Sequence, residues 1–276
     1  MNPMESASIK RLACPAEVEF LAAHYTHHAF EPHWHDTWAV GVVLKGAHDN
    51  SAKRDGSGVV AQGQVTLIEP GHVHAGHAIG STPCEYLMLY LPDTLLSATE
   101  CWQQGPRSVV RRHGFHAPKL ADGLVAACSL DGADYATEGF HADVIWTDLI
   151  NTLVSELTDP RDAGAERAGR SISHVADRAR QYLHDNISHP FSLDQLAGAV
   201  GVSKYHLCRL FTASFGMSAQ QYLRQIRVQC ARNLLRRTAS LSDVAFKSGF
   251  ADQSHLGRVF KQAYGVTPGA YAAATR

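Results

Sequence analysis

Two stretches of this chain repeat one another, and the repeat restricts the fold more than any bulk property does. SLDQLAGAVGVSKYHLCRLFTASFG begins at Ser192, and SLSDVAFKSGFADQSHLGRVFKQAYGVTPGAY begins at Ser240. At an offset of 48, Ser192, Leu193, Ala197 and Gly201 recur as Ser240, Leu241, Ala245 and Gly249. One inserted residue in the turn moves the offset to 49. His206, Leu207, Arg209, Phe211, Gly216 and Tyr222 then recur as His255, Leu256, Arg258, Phe260, Gly265 and Tyr271. Each copy has apolar residues at helical spacing on either side of a glycine, which predicts helix, turn, helix. Gly201 and Gly249 suit a tight turn that needs positive φ.

A helix-turn-helix places its second helix in the major groove of DNA. In the first unit Lys204, Tyr205, Cys208 and Arg209 can face outward while Leu207, Leu210 and Phe211 pack. In the second, Gln253, Ser254, Gly257 and Arg258 face out while Leu256, Val259 and Phe260 pack. Arginine forks to guanine O6 and N7, and glutamine to adenine N6 and N7. Lysines such as Lys261, and backbone amides at helix ends, serve phosphates. Ser192 is a good N-cap, with Gln195 three residues on. Between the units, SAQQYLRQIRVQCARNLLRRT has an apolar stripe of Leu223, Ile226, Cys230, Leu234 and Leu235. A stiff helix here would fix the reading helices about 34 Å apart if they enter successive major grooves. Arg224, Arg227, Arg232, Arg236 and Arg237 read equally well as phosphate contacts and as a solvated face.

Charge divides the chain in the same way. The overall net charge is −1, yet residues 1–158 hold nine Lys and Arg against eighteen Asp and Glu, and the remainder holds sixteen against eight. A basic half beside an acidic one points to a polyanionic partner for the basic half. Twelve of the 17 histidines lie in the acidic half. DPRDAGAERAGR, Asp159 to Arg170, is small, polar and glycine-containing. It predicts domains at 1–160 and 171–276 with a linker at 161–170.

The acidic half changes character along its length. From His33 to about Leu91, short apolar runs such as WAVGVVL and EYLMLYLP alternate with turn residues, predicting a β-sandwich or barrel. Past Lys119 the spacing is helical. Val144, Ile145, Leu149, Thr152, Leu153, Glu156 and Leu157, with Trp146 close by, form an amphipathic face of about five turns. That face either packs on the barrel or pairs with a second copy. The fold class is therefore α+β in two domains: a β-barrel with following helices, then an all-α domain with two helix-turn-helix units. The longest apolar run, Tyr86 to Leu91, is too short to span a bilayer. MNPMESASIKRL lacks the apolar core of a secretory signal, so a cytoplasmic protein with no membrane partner is expected. Six cysteines are scattered singly, which fits neither a zinc finger nor a disulfide framework.

The repeated units, with the G-F of the second, its Phe260-Lys261 pair and the G-x-T-P-x-x-Y ending at Tyr271, resemble the AraC/XylS family of bacterial transcription regulators. The likeness runs from Ser171 to Tyr271. It implies base contacts from Tyr205, Cys208 and Arg209 in the first unit and from Gln253, Ser254 and Arg258 in the second. It also implies promoter DNA and RNA polymerase as partners, and a homodimer. PHWHDTWAVGVVLKGAH and AQGQVTLIEPGHVHAG resemble the family's cupin-like sensor. His33, His35 and Gly46 fit the first cupin motif, and Gly63 and His74 fit the second loosely. The cupin glutamate is missing, Ala39 and Val40 standing at its positions.

In a strand, His33 and His35 would point into one space. His33, His35 and His74 could therefore hold Zn²⁺, Ni²⁺ or Fe²⁺, with His72 or His77 in place of the glutamate. In the other reading, His33, His35, His72 and His74 contact a small organic effector between walls of Trp34, Trp38 and Tyr86. An effector-responsive regulator leads, with a metal-responsive one as the alternative. Catalysis would need a metal, an open position and a substrate, and the chain is expected not to be an enzyme.

Overall fold

A computed structural model describes residues 5–11, 18–51, 57–97, 99, 112–130, 132–157, 173–237 and 240–275, with backbone alone for 132–141. The chain divides into two compact units, the main division in sequence falling after Arg167, with the short segment Glu31–His33 grouped with the second unit. The expected linker, 161–170, lies outside the described residues.

The first unit is built on two antiparallel sheets. One has the order β1 (Ser6–Arg11), β2 (Glu19–Tyr25), β9 (Cys84–Leu91), β4 (Trp38–Lys45), β7 (Val65–Ile68), β10 (Arg112–Phe115). The other runs β3 (Ala29–His33), β8 (His74–Ala78), β5 (Ala47–Asp49), β6 (Val59–Ala61). Strands thus begin well before His33, and β10 lies beyond the last strand read from sequence. Helices α1 (Asp93–Ser97), α2 (Pro118–Ser129) and α3 (Gly132–Leu157) complete the unit.

β4 shows why a run of buried residues forms here. Its alternate residues serve two different interiors. Trp38, Val40 and Val42 share a core with Val65, Leu67, Leu89 and Leu91, and with Leu120, Leu124, Leu149 and Leu153 of the helices. Ala39, Gly41 and Val43 pair with Tyr90, Met88 and Tyr86 of β9 and face the second sheet, where Tyr86 meets His48 ring to ring at 5.2 Å. The amphipathic face of α3 is spent inside the chain. Trp146, Leu149, Leu153 and Leu157 are buried in the core, and among the described side chains of α3 only Val144 is an exposed large apolar one. Of the two occupants the sequence allowed for that face, the barrel has it.

The second unit is all-α: α4 (His174–Asp185), α5 (Leu193–Val200), α6 (Lys204–Phe215), α7 (Ala219–Leu235), α8 (Leu241–Lys247), α9 (Gln253–Tyr264) and α10 (Pro268–Thr275). Both duplicated turns close alike. Gly201 and Gly249 each have φ of 75°. Val202 N–H then reaches Ala197 C=O at 3.1 Å, and Phe250 N–H reaches Ala245 C=O at 2.9 Å. These are the bonds of a left-handed helix cap. Ser203, Ser218, Ser240 and Asp252 cap α6, α7, α8 and α9 through their side chains. Ser192 stands at the N-cap of α5 with extended backbone, but its side chain makes no cap bond.

α7 is clamped within the second unit. Arg227 donates from Nε to Ile187 C=O at 2.8 Å and from Nη2 to His189 C=O at 2.6 Å. Arg232 and Arg236 each donate from Nε to the buried Tyr271 hydroxyl at 3.2 Å. These three arginines hold the domain together, so the phosphate-contact reading does not fit them.

Candidate functional site

The second helices of the repeat present the polar faces that the sequence assigns them. On α6, Lys204, Tyr205, Cys208 and Arg209 are exposed while Leu207 and Phe211 are fully buried. Tyr205 is 73% exposed, high for an aromatic side chain, and the Arg209 guanidinium lies 5.7 Å from its ring centre. Lys204 is tied to Asp194 of α5 at 2.9 Å. On α9, Gln253, Ser254, Arg258 and Lys261 are exposed above buried Leu256 and Phe260. Gly257 has open space around it. Both helices begin with a side-chain cap, Ser203 accepting from His206 N–H and Asp252 from His255 N–H.

Two groups of histidines stand out in the β-rich half of the chain. His33, His35 and His74 are buried and converge, one ligand atom from each lying within 4.8 Å of the others. The convergence does not come from strand alternation. β3 ends at His33, and His35 lies in the connection to β4, where its carbonyl accepts from Gly71 N–H at 2.7 Å. That bond joins this connection to the Pro70-Gly71 turn that leads into His74.

Two of the three imidazoles have a fixed tautomer. His33 Nδ1 lies 2.7 Å from the carbonyl of Glu31, and His74 Nδ1 lies 3.0 Å from that of His72. A carbonyl only accepts, so both Nδ1 atoms carry the proton and Nε2 carries the lone pair. Burial favours the neutral ring and holds the His33 imidazole below its usual pKa, against the opposing pull of the Glu31 carbonyl, which favours the protonated form. His35 packs edge-on to Tyr90 at 4.8 Å and lies 5.0 Å from His74, ring to ring. His72 stacks on His74 at 6.4 Å but is not one of the converging group, and neither is His77.

The remaining sequence-named residues lie elsewhere. Trp34 is half-buried beside the cluster in sequence. Trp38 faces the helix-side core, on the other side of β4 from Tyr86, and its Nε1 donates to Asp93 Oδ1 at 3.0 Å. Tyr86 faces a small recess of about 10 Å³ whose walls include Gly41, His48, Asn50, Thr66 and Met88.

That second place was not read from sequence. His48 Nδ1 meets Asn50 Oδ1 at 2.7 Å, Asn50 Nδ2 donates to Thr66 Oγ1 at 3.2 Å, and Thr66 Oγ1 meets His113 Nδ1 at 3.1 Å. Gly76 makes room for it, since a Cβ there would come within 2.7 Å of the His48 ring. The available signal was the i, i+2 spacing of His48 and Asn50, which puts both on one face.

A helical unit with a duplicated helix-turn-helix and two exposed second helices, following a β-rich unit in sequence, defines the class of a two-domain DNA-binding regulator. Comparison with known proteins agrees. Residues 196–274 match the helix-turn-helix domain family, and residues 15–131 match the AraC-like ligand binding domain family. The chain is an AraC-type transcription regulator with an AraC-like ligand-binding domain. It is 26% identical over 232 residues to the HTH-type transcriptional regulator YbfI of Bacillus subtilis, covering 82% of this chain and 81% of that one. It is 28% identical over 236 residues to the transcriptional activator NphR of a Rhodococcus species, covering 79% and 67%. In fold it resembles apo ToxT of Vibrio cholerae, with a TM-score of 0.53 at 13% identity over 100% of this chain and 99% of that one. ToxT bound to an unsaturated fatty acid gives a TM-score of 0.50 at 16% identity, over 100% and 97%. Among the described residues no helix is long and apolar enough to cross a membrane.

Proposed function

We propose that this protein is a cytoplasmic, homodimeric regulator that binds promoter DNA through α6 and α9 and is controlled by a small molecule held in its β-rich domain. The observation that carries the DNA assignment is the paired exposure on the two duplicated helices. Tyr205, Cys208 and Arg209 read bases from the first, and Gln253, Ser254 and Arg258 from the second. Lys204 and Lys261 contact phosphate, Lys204 by exchanging Asp194 for it. RNA polymerase is the downstream partner. The effector acts by preferring one arrangement of the regulator over another. Its binding residues are drawn from His33, Trp34, His35, His72, His74 and Tyr86. Footprinting on the region upstream of the protein's own gene, with purified full-length protein, tests the DNA assignment. Protection should span two major-groove segments one helical turn apart, about 34 Å. Protection of a single segment, or none, would overturn it.

A second reading makes a divalent metal on His33, His35 and His74 the signal itself. The convergence of the three rings favours it. Metal content of protein purified without a metal-affinity tag decides between the two readings. About one equivalent surviving gel filtration supports the metal, and a trace that washes away returns the cluster to an organic ligand.

A further inference from the structure

Tyr205 and Arg209 stand at positions i and i+4 of α6, on one face of the helix, and both side chains are exposed. A ring this exposed gains little from the core, so burial does not account for it. What it does meet is the Arg209 guanidinium, 5.7 Å from its ring centre and within the range of a cation–π contact. The second unit lacks this pair. At the offset of 49, Arg209 recurs as Arg258, but Tyr205 gives way to Ser254 and Cys208 to Gly257. The turn before Arg258 therefore offers a hydroxymethyl group and an open glycine, and no ring. The two arginines match in sequence and exposure and differ in what steadies them.

An exposed arginine samples many rotamers, and the fork to guanine O6 and N7 needs one geometry. Freezing the side chain on contact costs affinity. That cost falls only where the fork forms, so removing part of it beforehand favours the right base over the other three. A ring engages the face of a guanidinium and leaves the in-plane N–H donors for a base. We infer that Tyr205 is a positioning residue: its ring holds the Arg209 guanidinium ready to fork, and it adds to specificity through Arg209 rather than through a base of its own. This rests on the DNA-binding reading above and refines the role that reading gives Tyr205. The first unit meets DNA with its arginine steadied, and the second orders Arg258 on contact.

The test uses full-length protein. Duplexes with a randomised segment are selected by the wild type, and the enriched sequence serves for all later titrations. Arg209→Ala locates the base pair that Arg209 reads, as the position where discrimination falls about 5-fold or more. Tyr205→Leu should lower discrimination at that same base pair by roughly 2–5-fold, the worth of an exposed cation–π contact. The salt slope should stay as in the wild type, since no phosphate contact is lost. Tyr205→Phe keeps the ring and should restore the wild-type discrimination. In the Arg209→Ala background, Tyr205→Leu should have no further effect, because the group it acts through is gone. Both positions are exposed, and equal urea midpoints verify that the variants fold. If no sequence is enriched, or Arg209→Ala relaxes no position, the DNA-binding reading falls and the inference with it. If Arg209→Ala relaxes a position and Tyr205→Leu leaves it untouched, acts at a different base pair or adds its full effect to that of Arg209→Ala, the DNA-binding reading stands and the inference alone is overturned. A loss in Tyr205→Phe equal to that in Tyr205→Leu also overturns the inference alone, since it assigns the effect to the hydroxyl.

Discussion

Gly249 lies against the carbonyl of Ile187 so closely that a Cβ at this position would overlap the oxygen, and it would come within 2.8 Å of Arg227 Nε. The same carbonyl accepts the Arg227 hydrogen bond at 2.8 Å. One oxygen therefore meets the turn of the second repeat and the arginine of the connecting helix.

Gly201, the duplicate of Gly249, shares its φ of 75° but has open space around it. Gly201→Ala should therefore cost only the left-handed strain, roughly 1–2 kcal/mol. Gly249→Ala carries that strain and an overpacking cost of roughly 1–3 kcal/mol besides. Urea denaturation of the two variants measures the gap, and equal losses would mean that the Ile187 contact yields freely.

Arg258 and Lys261 lie one turn apart on α9, both exposed. Arg258→Ala should cost roughly 1–3 kcal/mol at the bases it reads and relax specificity there. Lys261→Ala should weaken all sequences alike and lower the salt slope by about 1. Mobility shifts at several salt concentrations, on specific and scrambled DNA, separate the two effects.

Tyr271 is fully buried and accepts from Arg232 and Arg236. Tyr271→Phe keeps the ring and deletes the acceptor. Arg232 is itself buried, so the loss should fall near the roughly 1–3 kcal/mol of a buried donor deprived of a partner. Adding Arg236→Met to the Tyr271→Phe variant should cost less than Arg236→Met alone, because the bond is already gone.

His184 Nε2 lies 3.1 Å from the Tyr222 hydroxyl. Partial burial, reinforced by the charge of Arg180 and opposed by Asp185, holds its imidazole below the usual value. The unfolded chain takes up this proton near pH ~6.5 and the folded chain only at lower pH. Its contribution to stability is thus fully present above about pH 6.5 and is lost as pH falls toward the folded value. Denaturation at about pH 7.5 and about pH 5.5 should show a smaller pH difference for His184→Gln than for wild type.

The helical half was the more legible because its signals are local. A repeat, caps and turn glycines lie within a few residues of what they control. The β half depends on partners far along the chain. β10 is a strand because Arg112 pairs with Leu67 and Phe115 with Val65, which nothing near residue 112 announces. Trp38 and Tyr86 both suited a pocket wall by composition, but only the pairing of Val43 with Tyr86 shows which face of β4 looks inward. His33 and His35 were paired correctly on a premise the backbone does not follow, since the strand ends between them. The polar chain from His48 to His113 needed three strands and the start of a loop to be brought together first.

The clamps on α7 bear on the genome as much as on the protein. α7 has 17 residues, so it is about 25 Å long, and it is fastened by Arg227 to the carbonyls of Ile187 and His189 and by Arg232 and Arg236 to α10. With its middle and its C-terminal end pinned, α7 leaves the two reading heads little freedom to swivel independently. Target sites should therefore tolerate base changes one at a time yet resist a single inserted base pair between their halves. Such an insertion rotates the second half by about a tenth of a turn and carries it off the face of the duplex that α9 meets.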